Sequence, residues 1–173
     1  MRKILIGFGI LVLIAMVLPA MAYTAQGKGS VTYINAVNVK QTDSISFSAN
    51  NILGSGLNDA SGYFSYRMVD LWDPGLPKNL PFKGTITYLR VDGNNAYMAG
   101  TITDSVLPEN YVGAVGDCFY LAISINRGNI LSTSAMSAVP GSCRETAQNP
   151  YGPFLPDKKT QGNFVIKIGP LET

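Results

Sequence analysis

Apolar and polar residues alternate along several short stretches of the chain, with the two-residue period of half-buried β-strands. In the clearest stretch, Cys118 to Asn126, every odd-numbered position from Phe119 to Ile125 is apolar, which predicts a core face opposite a semi-polar face. No sustained helical spacing occurs after the N-terminal segment, so we expect no amphipathic helix. The other predicted strands are Gly29–Ala36, Ser44–Ala49, Tyr63–Leu71, Phe82–Val91, Ala96–Thr103 and Phe164–Ile168.

Turn and loop signals separate these strands. Asp92-Gly93-Asn94-Asn95 stands between two strand patterns and predicts a β-hairpin. Asp73–Pro81 and Gly141–Gly162 each contain three prolines, and we expect loops there because proline cannot donate to a β ladder. The predicted fold is therefore all-β, an antiparallel barrel or sandwich of about 6–8 strands. Alternation alone leaves both architectures open.

The N-terminal segment has a different character. Arg2 and Lys3 precede an unbroken apolar run from Ile4 to Val17, and Pro19 and Ala20-Met21-Ala22 follow it. This order predicts a cleavable signal peptide over residues 1–22 and a secreted or extracytoplasmic protein. The alternative is an uncleaved membrane anchor, since the run approaches the roughly 18 residues at which spanning begins. After cleavage we expect a single all-β domain over residues 23–173 with no membrane span.

The charge balance argues against two classes of partner. The chain has 13 Lys and Arg residues and 11 Asp and Glu residues, and loss of Arg2 and Lys3 leaves 11 of each. A nearly neutral domain whose longest basic run is Lys158-Lys159 lacks the positive footprint that nucleic acid requires. The same observation argues against attraction to an anionic membrane surface.

The two cysteines, Cys118 and Cys143, predict one disulfide in an exported chain. A zinc site or a Cys-His nucleophile lacks ligands, because the chain has no histidine and no third cysteine. Calcium could use oxygen atoms from Asn50–Asp59 or Asp92–Asn95, but tight turns explain both stretches with fewer assumptions. We therefore predict no metal and no cofactor.

Candidate catalytic groups are sparse. Asp70 and Asp73, which flank Leu71-Trp72, are the only close carboxylate pair beside an aromatic ring, as glycoside hydrolysis would require. Asp73 also begins an Asp-Pro-Gly turn, which explains the residue without catalysis. A serine nucleophile has no histidine base, and no lysine stands in an S-x-x-K arrangement. We predict a protein without catalytic residues.

Aromatic residues in loops are the remaining functional signal. They are the candidate binding residues for a glycan or a cell-surface protein, unless they fold back over an open end of the barrel. The residues are Trp72, Tyr111, Tyr151 and Phe154. The predicted function is non-catalytic, a binding or structural role at the cell exterior. One alternative is a small barrel that carries an apolar ligand, suggested by the 46% hydrophobic composition. A second is an exported hydrolase that uses acidic residues.

Three segments carry a family resemblance. Ala60–Arg67 precedes Lys83–Thr101, which follows the pattern G-x-[VI]-x-x-L-x-V-x-G-N-x-A-x-x-x-G, and Gly162–Ile166 follows G-N-[FI]-V-[IV]. The chain thereby resembles a group of secreted prokaryotic β-domains, the post-COAP-1-like domains, over most of Gly29–Ile168. The resemblance implies an all-β fold and no particular activity. Members commonly have a D-N-G-E-P-type turn after the fifth strand, where this chain has Asn126-Arg127-Gly128-Asn129.

Overall fold

The chain forms a meander of antiparallel strands. A computed structural model describes residues 21–34, 40–51, 58–69, 77–125, 130–136, 143 and 158–170. Each strand pairs with the next in sequence, and the last returns to the first, so the described strands form a closed barrel. The strands are β1 (Met21–Ile34), β2 (Lys40–Asn51), β3 (Asp59–Val69), β4 (Asn79–Asp92), β5 (Asn95–Ser105), β6 (Cys118–Ser124), β7 (Ile130–Met136) and β8 (Lys158–Pro170). The predicted all-β antiparallel class is confirmed, and of the two architectures the chain adopts the barrel.

The barrel is closed unevenly around its circumference. The ladder between β1 and β8 runs from Met21 opposite Pro170 to Val31 opposite Thr160. Between β7 and β8, in contrast, the described residues pair only where Ile130 and Leu131 face Lys159 and Lys158. The short β7–β8 pairing is therefore the weakest joint of the described ring.

Aromatic rings fill the interior together with aliphatic side chains. Phe64 and Phe119 have ring centroids 3.5 Å apart, and Phe47 stacks on Phe164 at 6.0 Å. Both pairs belong to one buried cluster that runs through the barrel. Removing these rings from water is a major source of stability, at about 25 cal/mol for each Å² of apolar surface.

Glycines on the inner face make room for these rings. Phe164 lies against Gly27 of β1, and Phe119 lies against Gly100 of β5. The atoms nearest to a Cβ on Gly27 would all belong to the Phe164 ring, whereas a Cβ on Gly100 would also meet the carbonyl oxygen of Thr85 in β4. Glycine in a strand often marks such a close approach, and an aromatic ring packed over it restores the lost burial.

Part of the outer surface is covered as well. A register shift between Ile86 and Tyr88 turns Tyr88 outward, where it faces Ala99. Ala99 in turn faces Tyr120. Tyr88, Ala99, Tyr120 and Cys118 form a second buried cluster, and Cys143 packs against it. The predicted disulfide between Cys118 and Cys143 is present. The outer face of β6, which the sequence predicts to be semi-polar, is buried at Cys118, Tyr120 and Ala122.

Several strand boundaries differ from the sequence predictions. β1 begins at Met21, whereas the sequence predicts a start at Gly29. The prediction was too short because the inward positions Ala25, Gly27 and Gly29 are small, so the alternation of apolar and polar residues is weak there. β7 was not predicted, since its sequence ILSTSAM has little apolar periodicity. β8 begins at Lys158, within the stretch predicted as the second proline loop.

The first proline loop also ends earlier than predicted, because β4 begins at Asn79 and contains Pro81. Pro81 faces Arg67 on β3, and the pairing of β4 with β5 extends only as far as Phe82. Proline is tolerated at such a position because no ladder on its other side needs an N–H donor. The predicted hairpin is confirmed, since Gly93 and Asn94 form the turn between β4 and β5.

Residues 1–20 lie outside the described residues, so the signal peptide stays a prediction. Its last two predicted residues, Met21 and Ala22, belong to β1 and pair with Pro170 and Gly169. Within the described part of the chain, no helix has the length and apolar character needed to cross a membrane.

Candidate functional site

A groove crosses the outer face of β8, β1, β2 and β3. Its volume is about 500 Å³, within the usual range for small-molecule sites. Two adjacent rows of outward-facing side chains line it. The strand registers define the first row as Val165, Gln26, Ser48 and Tyr63, and the second as Asn163, Lys28 and Ser46. We call this set of seven residues the polar groove.

Tyr63 stands at the β3 edge of the polar groove. Its side chain is 60% exposed, the highest value among the large hydrophobic residues exposed on the described surface. The neighbouring Phe64 points into the barrel and is 5% exposed, so the β pleat fixes the outward direction of Tyr63. An aromatic ring held on a rigid strand offers a flat apolar surface at low entropic cost.

The rest of the polar groove supplies hydrogen-bonding groups. Gln26 and Asn163 carry amides that both donate and accept, and Ser46 and Ser48 carry hydroxyls that do the same. Lys28 supplies an exposed ammonium group and faces Ser46 on one side and Asn163 on the other. The arrangement can bind a flat, hydroxyl-rich ligand through stacking and hydrogen bonds together.

The β5–β6 connection forms a second surface, at one end of the barrel. Leu107 packs against the core and Ala114 is buried, so the connection covers that end. Its backbone is held by Asp117, whose Oδ2 accepts from Gly113 N at 2.8 Å. Tyr111 is 38% exposed, and Val112 and Val115 are each 57% exposed. The connection therefore plugs the barrel and also presents apolar side chains outward.

Tyr111 is the only one of the four predicted aromatic binding residues that the structure describes. Trp72, Tyr151 and Phe154 lie outside the described residues, as do Asp70 and Asp73. Tyr111 is separate from the polar groove.

A buried carboxylate sits inside the barrel. Asp43 is 0% exposed. It accepts hydrogen bonds from the Tyr66 hydroxyl and, at 3.1 Å, from the backbone N–H of Val69. Gln41, also buried, donates from Nε2 to the Val69 carbonyl oxygen at 2.6 Å. These bonds tie β2 to the end of β3, and a fully enclosed carboxylate with these partners serves as a structural anchor.

The other carboxylates do not assemble into a recognisable reaction centre among the described residues. Asp104 pairs with Lys83 at 3.0 Å and Asp92 lies 3.7 Å from Arg90. Both are surface pairs of the kind that contributes little to stability. The described part of the chain holds no group of three or more His, Cys, Asp or Glu side chains that could bind a metal ion.

The residues of the polar groove do not stand out in the amino-acid sequence. Gln26 and Lys28 lie on β1, whose inward positions Ala25, Gly27 and Gly29 are too small to reveal the alternation that identifies outward positions. Asn163 lies just before the predicted strand Phe164–Ile168. Tyr63 lies in a predicted strand, and alternation against Phe64 would have placed it outside. Tyr63 is not among the predicted binding residues, because those are the aromatic residues in loops.

Comparison of the chain with protein-family models, with curated proteins and with solved structures gives no match.

Proposed function

We propose that this protein is a non-catalytic binding module that recognises a glycan in the polar groove. The observation that carries the proposal is the 60% exposed ring of Tyr63 at the edge of a groove of about 500 Å³ otherwise lined mainly by polar side chains. The C–H face of a sugar ring packs on an aromatic face, and its hydroxyls exchange hydrogen bonds with amides and hydroxyls. Gln26, Asn163, Ser46 and Ser48 supply these partners.

An exported location is part of this proposal. The disulfide between Cys118 and Cys143 supports it, because disulfides form and persist in oxidising compartments outside the cytosol. The signal-like N-terminal segment points the same way. A binding module at the cell exterior would meet polysaccharides of the cell surface or the surroundings.

Replacing Tyr63 by alanine should weaken glycan binding about thirtyfold, the usual effect of removing an aromatic hot spot worth about 2 kcal/mol. The purified, disulfide-bonded protein is screened on a glycan array and by affinity electrophoresis in gels that contain polysaccharides. The best ligand is then titrated calorimetrically against the wild type and Tyr63→Ala. Because Tyr63 is largely exposed, the variant should keep the wild-type denaturation midpoint within experimental error.

Tyr97→Ala is the matched control. Tyr97 lies on β5, away from the polar groove. Its ring packs under Arg90, whose guanidinium carbon is 5.3 Å from the ring centroid. Its replacement should leave affinity unchanged. The proposal is contradicted if no glycan binds, or if Tyr63→Ala and Tyr97→Ala change affinity equally.

A protein partner at the covered barrel end is a second candidate function. The exposed Tyr111, Val112 and Val115 favour it, since rigidly held apolar side chains at a surface suit protein contact. The apolar-carrier alternative has less support, because stacked phenylalanine rings occupy the described interior. The hydrolase alternative depends on Asp70 and Asp73, which lie outside the described residues.

A further inference from the structure

We infer that the glycan bound by the polar groove is acidic, a polysaccharide that carries carboxylate groups; this inference rests on the proposed function. It follows from the distribution of charge on the outer face of β8, β1, β2 and β3. We call this face the groove face. Lys28, Arg67 and Lys167 are exposed there.

Within the part of the chain that the structure describes, no carboxylate pairs with these cations. Among the described residues of the four strands the acidic side chains are two, Asp43 and Asp59. Asp43 is 0% exposed within the barrel. Asp59 is the first residue of β3 and faces Tyr88 of β4, at the edge away from Lys28. The outward-facing positions near Lys28 are therefore positive or neutral.

The neighbouring surface shows the opposite arrangement. On β4, Lys83 is 3.0 Å from Asp104 and Arg90 is 3.7 Å from Asp92. Each of these cations has an acidic neighbour, whereas within the described residues no ion pair engages Lys28, Arg67 or Lys167. Among the described exposed cations that lie on strands, those without an ion pair are thus on the groove face, although the predicted exported chain is neutral overall.

The spacing of the three cations suits an extended polyanion. Arg67 lies two strands across and two residues along from Lys28, and Lys167 lies one strand across and four residues along. At about 3.3 Å per residue and 4.8 Å between strands, these offsets correspond to about 12 Å and 14 Å. An extended chain with carboxylates at intervals can contact all three cations. A single small anion cannot.

The test uses one polysaccharide in two charge states. Polygalacturonate carries a carboxylate on each sugar, and its fully methyl-esterified form has the same backbone without the charge. The full-length disulfide-bonded protein should bind polygalacturonate at least about tenfold more tightly, since a few exposed ion pairs together reach that factor. The preference should shrink as NaCl is raised, because salt screens exposed charges.

Lys28→Gln combined with Arg67→Gln should abolish the preference for the charged polymer, since glutamine keeps a hydrogen-bonding group but carries no charge. Lys83→Gln combined with Arg90→Gln is the matched control, with the same loss of charge outside the groove face, and should keep the preference. Equal binding of both polymers, weakened by Tyr63→Ala, would overturn the acidic ligand but keep glycan recognition. If neither polymer nor any other glycan bound, the proposed function would fail as well.

Two further probes separate the acidic glycan from other polyanions. Polyglutamate offers carboxylates without sugar rings, and phosphatidylglycerol vesicles offer an anionic membrane surface. Binding of either probe as tightly as polygalacturonate would overturn the inference, because charge alone would then explain recognition. Much weaker binding of both probes, together with the loss of preference in the Lys28 and Arg67 variant, supports it.

Discussion

Replacing Gly100 by alanine should destabilise the barrel by about 3 kcal/mol, near the upper end of the range for overpacked cores. The added Cβ atom would run into the Thr85 carbonyl oxygen and the Phe119 ring. Thr85 belongs to β4, whose backbone is fixed by ladders to β3 and β5, so it has little freedom to retreat. Urea denaturation followed by tryptophan fluorescence or circular dichroism gives the free energy of unfolding.

Gly27→Ala provides the matched comparison. The atoms nearest to its Cβ would all be ring atoms of Phe164, so a smaller side chain at position 164 should relieve the clash. In a double-mutant cycle, Phe164→Leu should recover about 1 kcal/mol or more of the loss from Gly27→Ala. Phe119→Leu should recover much less in the Gly100→Ala background, since the clash with the Thr85 carbonyl persists. Full recovery there would contradict the assigned backbone contact.

Asp43→Ala should cost about 3 kcal/mol of stability. The substitution leaves the Tyr66 hydroxyl and the Val69 N–H without the carboxylate that accepts their hydrogen bonds, and bonds to a charged group contribute about 1.5–3 kcal/mol each. It also opens a small cavity in the barrel. The free energy of unfolding from urea denaturation tests this expectation.

Asp43→Asn is the control that keeps the shape. Its amide oxygen can accept from Val69 N–H while its NH₂ group donates to the Tyr66 oxygen, so the loss should be about 1 kcal/mol. Equal losses in the alanine and asparagine variants would show that the charge matters more than the hydrogen-bond geometry. Neither variant should change glycan affinity by more than about twofold if the barrel stays folded, because Asp43 faces the interior.

The fold class followed from the sequence where large side chains mark the inner face. In β6, Phe119, Leu121 and Ile123 alternate and all three are buried, and Gly93 marks the hairpin between β4 and β5. The pattern failed in β1, where glycines face inward and a ring from a distant strand, Phe164, covers them. A local period cannot report a side chain supplied from another part of the sequence.

The candidate site was harder to predict, for a related reason. Tyr63, Gln26 and Asn163 are far apart along the chain and are brought together by strand register. Sequence spacing contains no information on that register until the order of the strands around the barrel is known. The disulfide could be predicted because two cysteines allow a single pairing. The buried Asp43 was missed since a lone acidic residue in a strand pattern is usually exposed.

Because the barrel is closed unevenly, the strands that carry the polar groove and the joint at which the barrel should open are different parts of the ring. The groove residues lie on β8, β1, β2 and β3, which are joined by long continuous ladders, whereas the described β7–β8 pairing contains only two residue pairs. Transient opening should begin at that pairing, where the fewest interactions must break. Amide hydrogens of β7 should therefore exchange with solvent faster than those of β1 and β2. A ligand in the polar groove should protect β1 and β2 further and leave the exchange of β7 almost unaltered.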